Sequence, residues 1–182
     1  TKFPTLWLSV NFLAETGKIA FPILSDLSSQ GYYIDGYWGD DACIDENGMN
    51  AEAKKISKIR NDSGWKGLYF GGTAFKKQRI ISQEKYGDAA RYAIQFMDVV
   101  TTSGIATGIE ADISKIKTFR SSIGDSVLAI ASGITVDNAE MYSVADCFMV
   151  ATGINYDDDF YEIDHKKLSK LLLVCRQIGI GE

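Results

Sequence analysis

The sequence predicts an α/β fold of the (β/α)-barrel type in a single domain spanning residues 1–182. Short apolar runs rich in β-branched and aromatic residues alternate with amphipathic stretches, which indicates βαβ units and a parallel sheet. The apolar runs are almost continuous, as expected for strands that are covered on both faces. Glycine follows most of these runs, and glycine-rich loops at the ends of several strands favour one shared barrel mouth.

The strands and helices alternate in a regular order. The predicted strands span residues 6–10, 32–37, 67–70, 98–102, 127–131 and 147–151. The predicted helices span residues 51–60, 85–95 and 113–122, followed by a short helix over 135–142 and a terminal helix that begins near residue 165. Ser82 and Asp112 are candidate N-terminal caps, and Gly124 is a candidate C-terminal stop.

An open, doubly wound sheet is the alternative to a barrel. A dinucleotide-binding sheet of that class would carry G-x-G-x-x-G after its first strand and an acidic residue about 20 positions later. The sequence has neither feature. We therefore favour a TIM-type barrel, in which the six βα units correspond to strands 3–8.

Six units leave the first two units of such a barrel unaccounted for. Six parallel strands cannot close with the geometry of eight, because barrel diameter and stagger scale with strand number. The chain begins at Thr1 without a methionine and runs directly into an apolar strand. We expect the first two units to be missing or supplied by another segment, or a second copy to assemble across the gap, because unpaired strand edges promote association.

Composition and charge exclude several classes of function. The net charge is −5 and there is no long basic run, so a nucleic-acid partner is not expected. No apolar stretch approaches the length of a membrane span, so no integral membrane segment is expected. The three cysteines are far apart and lack CxxC spacing, which favours reduced thiols in a cytoplasmic setting over a disulfide or zinc framework.

Two consecutive glycine-containing loops, at the ends of the last two predicted strands, are the strongest candidates for a binding site. Glycine amides followed by a helix N-terminus bind anions, and barrels often hold phosphate after strands 7 and 8. The alternative is that each glycine only makes a tight turn. We predict a phosphate site formed by Ser132, Gly133, Ile134, Thr135, Thr152 and Gly153.

Other strand-end loops supply candidate contacts to the rest of a phosphorylated small molecule. Trp38 is placed to stack on a ring, and Lys76 is placed to pair with a phosphate. A loop of small polar residues offers further hydroxyl and amide groups from Thr102, Ser103, Gly104 and Thr107. A purely structural turn or a surface position is the alternative for each of them.

Neither a metal, a cofactor nor a histidine-based mechanism is expected. Carboxylates such as Asp45 and Glu46 could bind Mg²⁺, but acidic loops are usually solvated. The single histidine, His165, lies in a polar stretch and is interpreted as a surface residue, which excludes Ser-His-Asp and Cys-His triads. Acid–base chemistry would therefore depend on Asp, Glu, Lys or Tyr.

Several motifs stand in a fixed order along the chain. They are LSVN at 8–11, CIDENG at 43–48, DVVTTSGIATG at 98–108, K-x-x-R-x-x-x-G-D within 113–138, and ADCFMVATG at 145–153. Their order and spacing resemble those of the BtpA family, barrel proteins linked to photosystem I biogenesis. The resemblance implies a barrel fold, a phosphate site after the last two strands, and substrate contacts from Asn11 and Asp45.

The chain departs from that family after the third predicted strand. The family has D-x-H-x-K-H there, whereas this chain has GTAFKK at 72–77, so that only Lys76 matches. Three functions stay open: a BtpA-like barrel protein that binds a phosphorylated or ribosyl-type metabolite, a non-catalytic assembly or stability factor, and a metabolic lyase, isomerase or phosphoribosyl-transfer enzyme. The intact glycine loops favour the first, whereas the lost Asp and His favour the second.

Overall fold

Six parallel strands form one curled sheet in the computed structural model, which describes residues 5–157 and 159–180. The strands are β1 (Ser9–Val10), β2 (Gly36–Gly39), β3 (Leu68–Gly72), β4 (Val99–Thr102), β5 (Val127–Ala131) and β6 (Cys147–Met149). Each strand pairs with the next in chain order. This sheet is part of a TIM-type barrel and confirms the predicted fold class.

Within the described residues, five α-helices connect and follow the strands. They are α1 (Gly17–Ser29), α2 (Ala51–Ser63), α3 (Tyr86–Ala93), α4 (Ile113–Ile123) and α5 (His165–Gln177). The carboxylate of Asp112 accepts a hydrogen bond from the amide of Ser114 at 2.7 Å, so Asp112 caps α4 as predicted. Gly124, with φ of 57°, follows the last residue of α4 at the predicted stop.

The helices cover the outer face of the sheet. Phe21 of α1 packs edge-on against Tyr37 of β2 and Tyr69 of β3, with ring centroids 5.5 and 5.1 Å away. Tyr37 and Tyr69 stack on each other at 5.6 Å. The inner face instead carries a smaller cluster of strand residues, in which half-buried Trp38 packs against Phe70 and Val99.

An acidic residue just before every second strand ties the amino ends of neighbouring strands together. Asp35 accepts a hydrogen bond from the amide of Leu8, Asp98 from that of Tyr69, and Asp146 from that of Leu128. Two of these aspartates also form salt bridges. Asp98 pairs with Arg60 of α2, and Asp146 pairs with Arg120 of α4. Carboxylate hydrogen bonds and salt bridges therefore stabilise the end of the sheet that lies opposite the glycine-rich loops.

The sheet has two unpaired edges within the described part of the chain. There, β1 pairs only with β2, and β6 pairs only with β5. Leu6, Trp7 and Leu8 precede β1 with 63%, 48% and 43% of their surfaces exposed. β1 is shorter than the predicted 6–10, because the amide of Leu8 donates to the Asp35 carboxylate and not to a backbone carbonyl of the next strand.

Several predicted boundaries were wrong. β2 begins later than residue 32, and β6 ends before residue 151. The helix predicted over 135–142 is only a 3-10 turn (Ala139–Tyr142), preceded by a turn in which the side chain of Asn138 accepts the amide hydrogen of Thr135. Helix α1 and an antiparallel hairpin, β7 (Asn155–Tyr156) and β8 (Asp159–Ile163), were not predicted.

None of the helices in the described residues has the length and apolarity needed to cross a membrane. The cysteines at 43, 147 and 175 are free thiols, each partly buried.

Candidate functional site

A cavity of about 390 Å³ opens at the carboxyl ends of β1, β2, β5 and β6, and we refer to it as the mouth cavity. Loops that are far apart in sequence converge there because all six strands run in the same direction. The predicted site residues that line it are Asn11, Trp38, Lys76, Thr107, Ser132, Gly133, Ile134, Thr152 and Gly153.

The two glycines of the predicted phosphate site allow adjacent loops to pack backbone against backbone. A Cβ atom at Gly153 would overlap the carbonyl oxygen of Ile134, and one at Gly133 would overlap the backbone of Glu110. Gly133 also has φ of 74°, in the left-handed region that favours glycine. Both glycines are therefore required by the loop packing itself, whatever ligand the cavity binds.

Two backbone amides of the loop after β5 are available to a ligand. Within the described residues, the N–H groups of Gly133 and Ile134 donate to no protein acceptor. The amide of Thr135 is already used, since it donates to Oδ1 of Asn138 at 2.8 Å, and Thr135 does not line the mouth cavity. Nδ2 of Asn138 donates to the carbonyl of Gly133 at 2.7 Å, which holds this loop in place.

The predicted helix N-termini behind these loops are not formed. The loop after β5 leads into the 3-10 turn over Ala139–Tyr142, and the loop after β6 into another over Thr152–Ile154. Turns of this length have no helix dipole comparable with that of an α-helix. Binding of an anion in the mouth cavity would therefore depend on hydrogen bonds from individual amides and hydroxyl groups and on charged side chains.

Two residues that line the mouth cavity each have a buried polar atom with no partner among residues 5–157 and 159–180. Asn11 donates from Nδ2 to the Asp40 carboxylate at 3.0 Å, which leaves its Oδ1 without a donor. Nε1 of Trp38 likewise has no acceptor. A buried polar atom without a partner costs about 1–3 kcal/mol, and a ligand reaches either atom only if the side chain turns toward the cavity.

Lys76 is the cationic side chain of the mouth cavity. Burial lowers the pKa of Lys76, the Asp40 carboxylate acts in the opposite direction, and the neighbouring Lys77 adds to the lowering. An amine in these surroundings can pair with an anion or take part in proton transfer.

Thr102, Ser103 and Gly104 are buried behind the cavity wall and do not line it. Oγ of Ser103 accepts from the amide of Lys76 at 2.8 Å, and Oγ1 of Thr102 donates to the carbonyl of Ala74 at 3.4 Å. These residues therefore position the loop that follows β3 and carries Lys76. Their small polar side chains make hydrogen bonds between loops. The sequence alone could not show whether these side chains bond a neighbouring loop or a ligand.

Lys115 is a residue whose role the sequence analysis missed. Its Nζ donates to the carbonyls of Ala74 at 2.5 Å and Ser103 at 2.8 Å, and only 7% of the residue is exposed. Burial lowers the pKa of Lys115 to about 8, while Asp112 acts in the opposite direction. The spacing of Lys115 and Phe119, four residues apart on one helix face, was the available signal.

Asp45 does not reach the mouth cavity. It lines a separate cavity near Arg79 and Glu52, and its Oδ1 accepts from the amide of Asn47 at 3.0 Å within a local turn. Among residues 5–157 and 159–180, no cluster of His, Cys, Asp or Glu is arranged to hold a metal ion. His165 is exposed at the start of α5.

Two solved structures resemble this fold. Phosphoribosyl anthranilate isomerase from Thermus thermophilus matches with a TM-score of 0.60 and 11% identity, over 96% of this chain and 74% of that one. A mandelate racemase/muconate lactonizing protein from Herpetosiphon aurantiacus matches with a TM-score of 0.59 and 11% identity, over 97% of this chain and 45% of that one. Comparison with protein-family models and with curated proteins gives no match.

These likenesses agree with the barrel-type architecture and, at this identity, establish the fold alone.

Proposed function

We propose that the chain binds a phosphorylated or ribosyl-type small metabolite in the mouth cavity. The observation that carries this proposal is the convergence of Lys76 with the unpaired amides of Gly133 and Ile134 on one cavity. A lysine ammonium and backbone N–H groups are the donors that proteins use for phosphate. The hydroxyl groups of Thr107 and Thr152 line the same cavity and can extend this set.

The cavity lining also includes two side chains suited to a sugar, the ring of Trp38 and the amide of Asn11. Nε1 of Trp38 and Oδ1 of Asn11 have no partner among the described residues, and a turn of either side chain toward the cavity lets a sugar hydroxyl group satisfy it. The cavity volume of about 390 Å³ lies within the range usual for small-molecule sites. A molecule with a phosphate at one end and hydroxyl groups at the other matches both sets of lining groups.

The resemblance to the BtpA family supports the same location. Its motifs at 98–108 and 145–153 include Thr107, Gly108, Thr152 and Gly153, and these four residues all line the mouth cavity. We propose that the chain is a BtpA-like protein whose family motifs serve this cavity.

Isothermal titration calorimetry with ribose 5-phosphate, ribose and inorganic phosphate tests the proposal. We expect ribose 5-phosphate to bind more tightly than either part alone. Lys76→Met, which keeps the apolar stem, should weaken its binding by about tenfold or more, or at least about 1.4 kcal/mol. Lys117→Met, at an exposed position on α4, is the matched control and should leave binding unchanged.

Equal affinity for ribose and ribose 5-phosphate would contradict the phosphate part of the proposal. Equal affinity of the two lysine variants would place the ligand elsewhere.

A second candidate function is favoured by the open sheet. The exposed apolar side chains of Leu6, Trp7 and Leu8 lie beside the unpaired edge of β1, where a further strand would cover them. We propose that a second copy of the chain covers this edge, so that the chain acts through association with a protein partner. Light scattering of the 182-residue chain tests this: dimers or larger species are expected, and a stable 20.0 kDa monomer would contradict it.

A further inference from the structure

A second cavity, of about 330 Å³, lies on the other side of the loop that follows β3, and we refer to it as the side cavity. Four of its lining residues are cationic: Lys76, Lys77, Arg79 and Lys115. None of its lining residues is acidic. The cavity is therefore electropositive in the part of the chain that the structure describes.

Lys115 forms the inner wall of the side cavity. Its Nζ lies 5.2 Å from the centroid of the Tyr86 ring and donates to two carbonyl groups, those of Ala74 and Ser103. An ammonium group has three N–H donors, and the two carbonyl groups use two of them. Because Lys115 is almost completely buried and makes no salt bridge within the described residues, an anion beside it would offset the cost of the buried charge.

The other cations leave this charge largely uncompensated. Arg79 is paired with Glu46, but Lys76 and Lys77 form no salt bridge among the described residues. Lys76 and Lys77 also repel each other. Three ammonium groups thus line one small cavity without a carboxylate partner.

The outer part of the side cavity is apolar. Ile80 and Ile105 line it with 96% and 87% of their surfaces exposed. Exposed isoleucine side chains beside a cluster of cations match a ligand that carries both an anionic group and a hydrocarbon part.

We propose that the side cavity binds a small amphipathic anion, a phosphate or carboxylate group attached to a short hydrocarbon chain. The anionic group contacts Lys115 and Lys77, and the hydrocarbon part covers Ile80 and Ile105. This site is separate from the mouth cavity and goes beyond the function proposed above. Lys76 lines both cavities. An anion bound in one cavity therefore offsets part of the positive charge that Lys76 presents to the other.

Nuclear magnetic resonance titrations of the amide signals identify which cavity each ligand occupies. Butyl phosphate and butyrate are the probes, with butanol as the neutral control. Both anions should shift the amide signals of residues 77–81, 86 and 104–105, and butanol should not. Ribose 5-phosphate should instead shift the amide signals of 107–108, 132–134 and 152–153. Absence of these shifts would count against the mouth cavity alone and not against the side cavity.

Two variants test the side cavity itself. Lys115→Met should weaken butyl phosphate binding by about tenfold or more, which corresponds to about 1.4 kcal/mol. Ile105→Glu places a carboxylate at the exposed part of the cavity without disturbing the core, and should weaken binding similarly even if Lys115→Met folds poorly. Tyr33→Glu introduces the same charge at another exposed position and should leave binding unchanged.

The proposal is overturned if neither anion shifts residues 77–81 and 104–105, if butanol shifts them equally, or if Ile105→Glu binds butyl phosphate as tightly as Tyr33→Glu does.

Discussion

Gly153 packs directly against the carbonyl oxygen of Ile134, so that the loop after β6 rests on the loop after β5. This contact holds the two halves of the candidate phosphate site together. It also means that the same glycine serves both the fold and the site, and substitutions there change both.

We expect Gly153→Ala to lower the free energy of unfolding by about 1–3 kcal/mol, because its Cβ forces the two loops apart. Urea denaturation measures this change. The control is Gly64→Ala, whose Cβ meets no neighbouring atom, so that only the cost of its positive φ of 72° remains. A smaller loss for Gly153→Ala than for Gly64→Ala would contradict the packing described here.

Trp38→Phe should weaken binding of ribose 5-phosphate and destabilise the free protein less than Trp65→Phe does. Nε1 of Trp38 has no acceptor among the described residues, so its removal leaves no protein group unpaired and loses only packing, against Phe70 and Val99. Trp65→Phe is the matched control, because Nε1 of Trp65 donates to the carbonyl of Ile34 at 3.2 Å. Thermal unfolding and calorimetry should therefore separate the two variants.

The opposite pattern, in which Trp38→Phe is the less stable variant and binds normally, would show that the Trp38 donor has a structural partner.

The lowered pKa of Lys115 should change how the free energy of unfolding depends on pH. Its pKa falls from an ordinary 10.5 to about 8 on folding, so between these values the unfolded chain binds the additional proton. Raising the pH through this window therefore stabilises the folded state, by about 3 kcal/mol at most. Below about pH 8 both states are protonated and Lys115 adds no pH dependence.

Buried tyrosine and cysteine groups oppose this trend, since burial raises the pKa of Cys43 to about 11 and also raises that of Tyr69. The measurement is therefore the difference between the wild type and Lys115→Met in urea denaturation from pH 7 to 10.5. We expect the free energy of unfolding of the wild type to increase relative to that of the variant as the pH rises. A constant difference would contradict a lowered Lys115 pKa.

Asp146→Ala should destabilise the fold and leave ligand binding unchanged. The Asp146 carboxylate accepts from the amide of Leu128 at 2.7 Å and pairs with Arg120, at the end of the sheet opposite the mouth cavity. Loss of these bonds should cost about 1–3 kcal/mol. Asp125→Ala, at an exposed neighbouring position, should stay within about 0.5 kcal/mol of the wild type.

If Asp146→Ala weakens ribose 5-phosphate binding at temperatures where the variant is folded, the two ends of the sheet do not have separate roles.

The sequence was sufficient for the order of the strands and for the convergence of Trp38, Lys76 and Gly153, because the carboxyl ends of parallel strands meet at one edge. It was not sufficient for Thr102 and Ser103, since whether a short polar side chain faces a cavity or a neighbouring loop depends on loop packing. Lys115 was missed because lysine on a helix is usually exposed.

Other differences concern short elements. The predicted helix over 135–142 is a 3-10 turn, and its hydrogen bonds do not explain why it does not continue as an α-helix. The hairpin of β7 and β8 was missed because its strands are short and their aromatic and apolar side chains are mostly exposed, so they form no buried strand pattern.

A crystal structure of the chain with ribose 5-phosphate would locate the ligand. We expect the phosphorus atom in the mouth cavity, with phosphate oxygens accepting from the amides of Gly133 and Ile134 and from Nζ of Lys76, and the sugar beside Trp38. A phosphate bound outside this cavity, or a sugar bound there with its phosphate directed to solvent, would contradict this prediction.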